Sequence, residues 1–498
     1  MKLKAEKTVN AMKDNYHILI IILIAFFSFF FYSYNYYPGI NSDDAMNVLM
    51  AHYYEFPGNI FCWGQNRGGT LIPLTSQIFI HLFGLKAVTS VSIATYLLLL
   101  TGVLCLCSLL KTKFLKIILA MVWFFPFQRF VDIVRYPIGM EYCLIAVAVC
   151  LINKLWDADK SKLSSRLMMC GVVLSLILAY WVLYNAVFTI VLLILVLMVF
   201  SKMKLPGKHV LITFAIGVVL FACAWFYMYS QPYTECKQCN QINTLSEVKD
   251  SFLILGKALY NYLFFSEVQV RIAVGVYAWL VVLFLAVVII LAVKTKVYRQ
   301  FIKDKWAVFF LADFFMFMGV YFLSAWVRLN NMASWYYVSC YISLSMAILL
   351  CIDKMQQPYA KVTCRRFLIL ISLTAAVSTY STFKHTAPYQ TNPMLQRVRQ
   401  TEQLGKCGVL GDWQYAYLSS IYNPENIIAS PHDKCWDYTR NIQLAERAVS
   451  QDNIYLIKDN WLKEFPDTIT QFDRLLIKSG EPFTLSFCTM CKYRKKQN

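Results

Sequence analysis

Long apolar runs alternate with short segments rich in lysine and arginine along most of this 498-residue sequence. A helix that crosses a bilayer takes about 20 apolar residues. The runs place such spans near 17–36, 87–110, 114–130, 138–153, 209–229, 270–293, 307–325, 335–352 and 366–381. The stretch 167–201 is about twice as long as one span and predicts a helical hairpin turning around Tyr180, Trp181 and Asn185. About eleven spans result. A weaker apolar segment, Leu71–Phe83, carries Pro73, Thr75, Ser76, Gln77 and His81, which predicts a helix lying along the membrane surface.

The basic segments fall after every second span. They include Lys2 to Lys13, Lys111 to Lys116, Lys154 to Arg166, Lys202 to Lys208, Lys294 to Lys305 and Lys354 to Arg366. Cytoplasmic loops are enriched in Lys and Arg, so the N-terminus is expected inside, with loops 37–86 and 230–268 outside. The first run, His17–Tyr34, has no small-residue cleavage site and reads as a retained anchor. Beyond about 385 the pattern changes. Gly408–Leu410, Asn426–Ala429 and Asn453–Ile457 read as short buried strands, and 440–450 as an amphipathic helix. The expected fold is an all-α polytopic membrane domain over 1–384, followed by a small α/β extracytoplasmic domain over 385–498.

Composition supports this division. The chain is 58% hydrophobic and only 15% charged, against about 25% charged in soluble domains. Its mean hydropathy is +0.51. The net charge of +19 sits in the inter-span segments, which points to membrane orientation and away from nucleic-acid binding.

The least membrane-like stretch of the first 150 residues is Tyr37–Pro73, just after the first run. Its Asp43-Asp44 pair has two readings. Asn41-Ser42-Asp43-Asp44 ahead of an apolar periodic segment is a helix start, where acids satisfy free N–H groups. The same placement holds a carboxylate at the membrane face, where it can deprotonate an acceptor hydroxyl. Glu141 falls at a membrane boundary, either as a functional acid or as a partner of Arg129 or Arg135. Asp132 is either a solvated turn acid or part of the same site. Arg67, Arg129, Arg135 and Arg328 are arginines expected outside, suited to clamping a lipid-linked phosphate or to structural pairing. Trp63-Gly64-Gln65 with Gly68-Gly69 offers an aromatic face and close backbone to a sugar, or a plain turn.

Of the 16 cysteines, seven are expected outside: Cys62, Cys236, Cys239, Cys407, Cys435, Cys488 and Cys491. Cys407–Cys435, Cys236–Cys239 and Cys488–Cys491 are candidate disulfides, and the two C-x-x-C pairs are alternatively zinc ligands.

Taken together, these motifs resemble the GT-C-fold membrane glycosyltransferases, the superfamily of protein O-mannosyltransferases, dolichyl-phosphate-mannose-type transferases and aminoarabinose transferases. The resemblance lies in Asp43-Asp44 after the first span, Gly64-Gln65-Asn66-Arg67-Gly68-Gly69 before an amphipathic helix, and Gly139-Met140-Glu141 at the start of a later span. Gly411-Asp412-Trp413-Gln414-Tyr415 after the last span completes it. Where the family has Arg-Tyr at a late span, this chain has Trp335-Tyr336, with Arg328 upstream. The resemblance implies transfer of a sugar, with inversion, from a polyprenyl-phosphate donor to an envelope glycan, lipid or protein. The reaction would take place at the outer face of a bacterial cytoplasmic membrane. It implies Asp43, Asp44 and Glu141 as catalytic residues and Gln65, Arg67, Asp132, Arg135, Arg328 and Trp413 as substrate-binding ones. Metal use differs within the superfamily, so a divalent cofactor is left open. The alternatives are a flippase for lipid-linked sugars and a non-catalytic GT-C-like assembly partner.

Overall fold

The computed structural model describes residues 2–37, 39–55, 60–63, 68–135, 137–156, 163–200, 208–230, 241–265, 271–386, 398–434 and 440–496. The helices in chain order are α1 (Lys2–Tyr32), α2 (Ser42–His52), α3 (Leu71–Phe83), α4 (Ala87–Cys107), α5 (Lys113–Phe124) and α6 (Pro137–Trp156). Next come α7 (Leu163–Val182), α8 (Ala186–Phe200), α9 (Lys208–Ser230), α10 (Leu245–Leu263), α11 (Arg271–Lys294) and α12 (Tyr298–Phe301). The remainder are α13 (Lys305–Leu323), α14 (Ala325–Leu329), α15 (Val338–Lys354), α16 (Pro358–Thr386), α17 (Trp413–Ser420) and α18 (Ile442–Val449). The chain divides into two compact units, one of residues 1–29, 96–223 and 236–384, the other of 30–95, 224–235 and 385–498.

Among the described residues, seven helices are long and apolar enough to cross a membrane, or eight if one bent pair is a single span. Every expected span is helical, but three differ in form. The run 114–130 breaks: α5 ends at Phe124 and a 3₁₀ segment, Gln128–Val134, leaves it at 96°. Phe125 precedes Pro126, and the proline ring disfavours the helical conformation of the residue before it. The predicted hairpin is α7 and α8, turning at 183–185, with α8 only 15 residues long. Helix α9 covers its expected span, whereas α16 runs well past its own, from Pro358 to Thr386. The expected second outer loop contains α10, whose first turn is closed by a capping box between Thr244 and Glu247.

Within the first unit, α6 packs on α7, and α13 on α8 and α15. Asp353 of α15 accepts hydrogen bonds from the Lys111 and Thr112 backbone N–H groups at 2.6 and 3.1 Å, tying the α4–α5 turn to the end of α15. Gly139 is required by contact, since a Cβ there would lie 1.8 Å from the Ile133 carbonyl oxygen.

The second unit contains a seven-stranded sheet of order β2-β1-β3-β7-β5-β4, with β6 also on β7. The strands are β1 (Cys407–Gly411), β2 (Ile427–Pro431), β3 (Ile454–Ile457), β4 (Thr468–Gln471), β5 (Arg474–Lys478), β6 (Phe483–Thr484) and β7 (Thr489–Lys495). The first three are parallel and buried throughout, as strands covered on both faces should be. They match the three strands legible in the sequence, and α18 matches the amphipathic segment. The antiparallel β4–β7 were not anticipated: β4 is a four-residue edge strand, and β4 and β5 are exposed at most positions, so neither reads as a buried run. They join through Phe472 and Asp473 with φ of 51° and 58°, a two-residue turn of the twist that hairpins favour.

The start of α2 follows from its sequence. The Asn41 side chain accepts from the Asp44 N–H and the Asp44 carboxylate accepts from the Asn41 N–H, both at 3.0 Å. At the other end of the loop, α3 stops at Gly84, which takes the left-handed conformation at φ 63°.

Two substitutions test these constraints in the full-length protein. Gly408→Ala would place a Cβ 1.9 Å from the Ala448 carbonyl oxygen of α18. It should lower the stability of the second unit by about 1–3 kcal/mol, read as earlier proteolytic opening of residues 398–496. Asn41→Ala should cost about 1 kcal/mol by uncapping α2, read as faster amide exchange in its first turn.

Candidate functional site

In the second unit, α2 is held between α3 and α17. Gln77 of α3 donates to the Ala51 carbonyl at 2.7 Å. At the end of α2, the Tyr53 hydroxyl donates to the Pro424 carbonyl at 2.5 Å, and the Arg447 guanidinium lies 4.8 Å over the Tyr53 ring. Burial pushes the Tyr53 phenol up to about 12. Burial also holds the His52 imidazole below its ordinary value, with Glu425 opposing and Arg447 adding to the shift. The second half of the loop is a short two-stranded pairing, in which Phe61 bridges Gly69 and Cys62 N–H donates to the Gly68 carbonyl at 2.8 Å. Gly68 has φ 76°, a conformation that favours glycine. Trp63 packs against Tyr417 of α17, ring centres 6.1 Å apart.

The two aspartates at this site are not equivalent. Asp44 is only 2% exposed and its carboxylate closes the capping box, whereas Asp43 is partly exposed in the same first turn. Asp44 is thus the acid of the capping box, and Asp43 is the more exposed of the two. Trp413 begins α17, and the Arg440 guanidinium lies 5.2 Å over its ring. Gln65 and Arg67 lie outside the described residues.

In the first unit, the 3₁₀ segment Gln128–Val134 carries Asp132, followed by Arg135. The Arg135 N–H donates to the Asp132 carbonyl at 3.3 Å, and the guanidinium charge acts on the Asp132 carboxylate. Arg135 is 4% exposed. Arg129 stands 5.9 Å over the Tyr262 ring. Arg328 forms an ion pair with Glu247 and donates to Asn243 Oδ1 at 3.0 Å, so its guanidinium is already engaged within the unit. The Thr244 backbone and side chain, together with Arg328, hold the Glu247 carboxyl below its usual value. Glu141 is 1% exposed, and neither of its oxygens has a hydrogen-bond partner. It pairs with neither Arg129 nor Arg135. Sequence reasoning passed over Asp313, a fully buried acid in the middle of α13. Its signal was available as a lone carboxylate inside an apolar run.

Cysteine chemistry departs from expectation. Cys407, Cys488 and Cys491 are free thiols, so the Cys488–Cys491 bridge is not formed. Cys488 packs on the apolar cluster around buried Cys407 and Val409, while the Cys491 thiol turns to the Gly480 carbonyl at 3.2 Å. Residues three apart in an extended chain point to opposite faces, which separates the two sulfurs. Cys236, Cys239 and Cys435 lie outside the described residues. No group of three His, Cys, Asp or Glu side chains suited to a metal occurs among the described residues.

No protein-family profile matches the sequence, and no curated protein does. Solved structures do. The chain is similar to ArnT from Cupriavidus metallidurans in its apo state, at 10% identity and a TM-score of 0.51, over 97% of this chain and 98% of that one. Against the same protein bound to undecaprenyl phosphate the TM-score is 0.55, at 10% identity, over 96% and 98%. The mycobacterial arabinofuranosyltransferase AftD aligns at 11% identity and a TM-score of 0.44, over 97% of this chain and 40% of that one. These neighbours are GT-C glycosyltransferases, and agreement with ArnT over nearly the whole of both chains shows that this protein has the GT-C fold.

Proposed function

We propose that the protein is a membrane glycosyltransferase that moves a sugar from a polyprenyl-phosphate donor to an acceptor hydroxyl at the outer face of a bacterial cytoplasmic membrane. The observation that carries this reading is the full-length GT-C fold combined with a partly exposed acid, Asp43, in the first turn of the helix that follows the first span. The lipid phosphate bound by the ArnT structure supports a donor of that class.

Asp43 takes the proton of the acceptor hydroxyl as its oxygen attacks the anomeric carbon. The bond from that carbon to the phosphate oxygen breaks on the opposite face, configuration inverts, and polyprenyl phosphate departs with the electron pair. Asp44 fixes the position of Asp43 through the capping box and the dipole of α2. Trp413, with Arg440 stacked over it, offers a flat apolar face with an adjacent cation, suited to a sugar ring near a phosphate. Gln65, Arg67, Asp132 and Arg135 are the further candidates for holding donor and acceptor. Arg328 enters only if Glu247 releases it. Glycans, lipids and proteins of the cell envelope are all acceptors with suitable hydroxyls.

The test is transfer by purified protein given undecaprenyl-phosphate-linked sugars and envelope acceptors. Asp43→Asn should lower turnover by about 10²–10⁴-fold with folding unchanged, as expected for loss of a general base. Asp44→Ala should instead cost about 1 kcal/mol of stability, with residual transfer in proportion to the folded fraction. Full activity in Asp43→Asn would remove it as the base. No transfer by the wild type, with lipid-linked sugar crossing liposomes, would replace the transferase reading with the flippase.

A further inference from the structure

The first unit buries two carboxylates, Glu141 and Asp313, at 1% and 0% exposure. They come from α6 and α13, two of the helices long and apolar enough to cross a membrane. Their surroundings differ completely. Asp313 is ringed by hydroxyls from three other helices. Tyr142 of α6 and Ser343 of α15 both donate to Oδ2, and Thr189 of α8 donates to Oδ1 at 3.1 Å. Three donors aimed at one carboxylate are the arrangement that favours its ionised form. Glu141, adjacent in sequence to Tyr142, has no donor on either oxygen.

The electrostatic surroundings of the pair are uniformly acidic. The Asp313 charge acts on Glu141, and the other titratable groups in range of the pair are Tyr142, Tyr321 and Cys340. Among the described residues, no lysine, arginine or histidine acts on either. Tyr321 donates to Ser339 at 3.0 Å and is thereby occupied. A carboxylate that is desolvated, without hydrogen bonds and beside a second negative charge does not persist as an anion: it takes up a proton or a cation.

We infer that Glu141 and Asp313 form a two-carboxyl proton site in the helix bundle, with the proton resident on Glu141 and the negative charge on Asp313. The asymmetry follows from the donors. All three hydroxyls stabilise the charge on Asp313, and among the described residues no hydrogen-bond donor meets Glu141. The Tyr142 hydroxyl touches both Asp313 and, at 3.5 Å, Ser343, so the anion is held by a connected network spanning α6, α13 and α15. The inference stands on the burial and hydrogen bonding of this unit and does not depend on the transferase reading.

Infrared spectroscopy of the full-length protein in detergent tests it without relying on activity or on any variant. At about pH 8 exposed carboxyls are ionised, so a remaining carbonyl stretch of an un-ionised carboxylic acid reports a buried one. The band should be present, should shift in protein carrying ¹³C-glutamate, and should be unmoved in protein carrying ¹³C-aspartate. Glu141→Gln should remove it, while Asp313→Asn leaves a band that still shifts with ¹³C-glutamate. Absence of the band, a band that follows the aspartate label alone, or loss of the band on adding sodium or magnesium would overturn the proposal. The last result would make the occupant a metal cation.

Discussion

In a bilayer every backbone N–H and C=O must find its partner within the protein, and this requirement shapes the first unit more than any single contact does. It explains why each long apolar run is a helix. It also explains how the polar side chains inside those helices behave. Ser175 donates to the Gly171 carbonyl at 2.7 Å and Thr295 to Leu291 at 2.6 Å, each returning its hydroxyl to its own helix. Ser28 reaches further, to the carbonyl of Phe124 at 2.5 Å, near the point where α5 stops. Where the chain does break, at Phe125-Pro126, the emerging 3₁₀ segment carries Asp132 and leads to Arg135, the polar residues nearest to a functional reading. Irregular backbone and candidate chemistry thus coincide.

Much of this was legible in the sequence because hydrophobic periodicity is a local signal. The spans, the hairpin of α7 and α8, the parallel strands β1–β3 and α18 all declare themselves within their own residues. The bend after α5 had a local cause in Pro126, but run length masked it. The largely exposed strands β4 and β5 and the helix α10 carry a mixed pattern whose meaning depends on what covers one face, so they were not visible. Cysteine pairing failed for a related reason. Spacing along the chain says nothing about the direction in which Cys488 and Cys491 point once β7 forms.

The candidate site was readable in part. The acid pair was found from its position, but which member is structural required the Asn41 box, a pair of hydrogen bonds that no spacing rule distinguishes from an open helix start. The arginines were readable as a class and not individually. Arg328 is held by Glu247, a residue of a helix that the sequence reading treated as loop. Asp313 was missed because a single acid in an apolar run draws less attention than a motif, although in a membrane its rarity is itself the signal.

The close approach of Gly139 to the Ile133 carbonyl bears on how the first unit can move. With less than a methyl group of space between them, the 3₁₀ segment and the first turn of α6 are locked together. Bulk added at position 139 would therefore drive the segment that bears Asp132 away from the helix turn that bears Glu141.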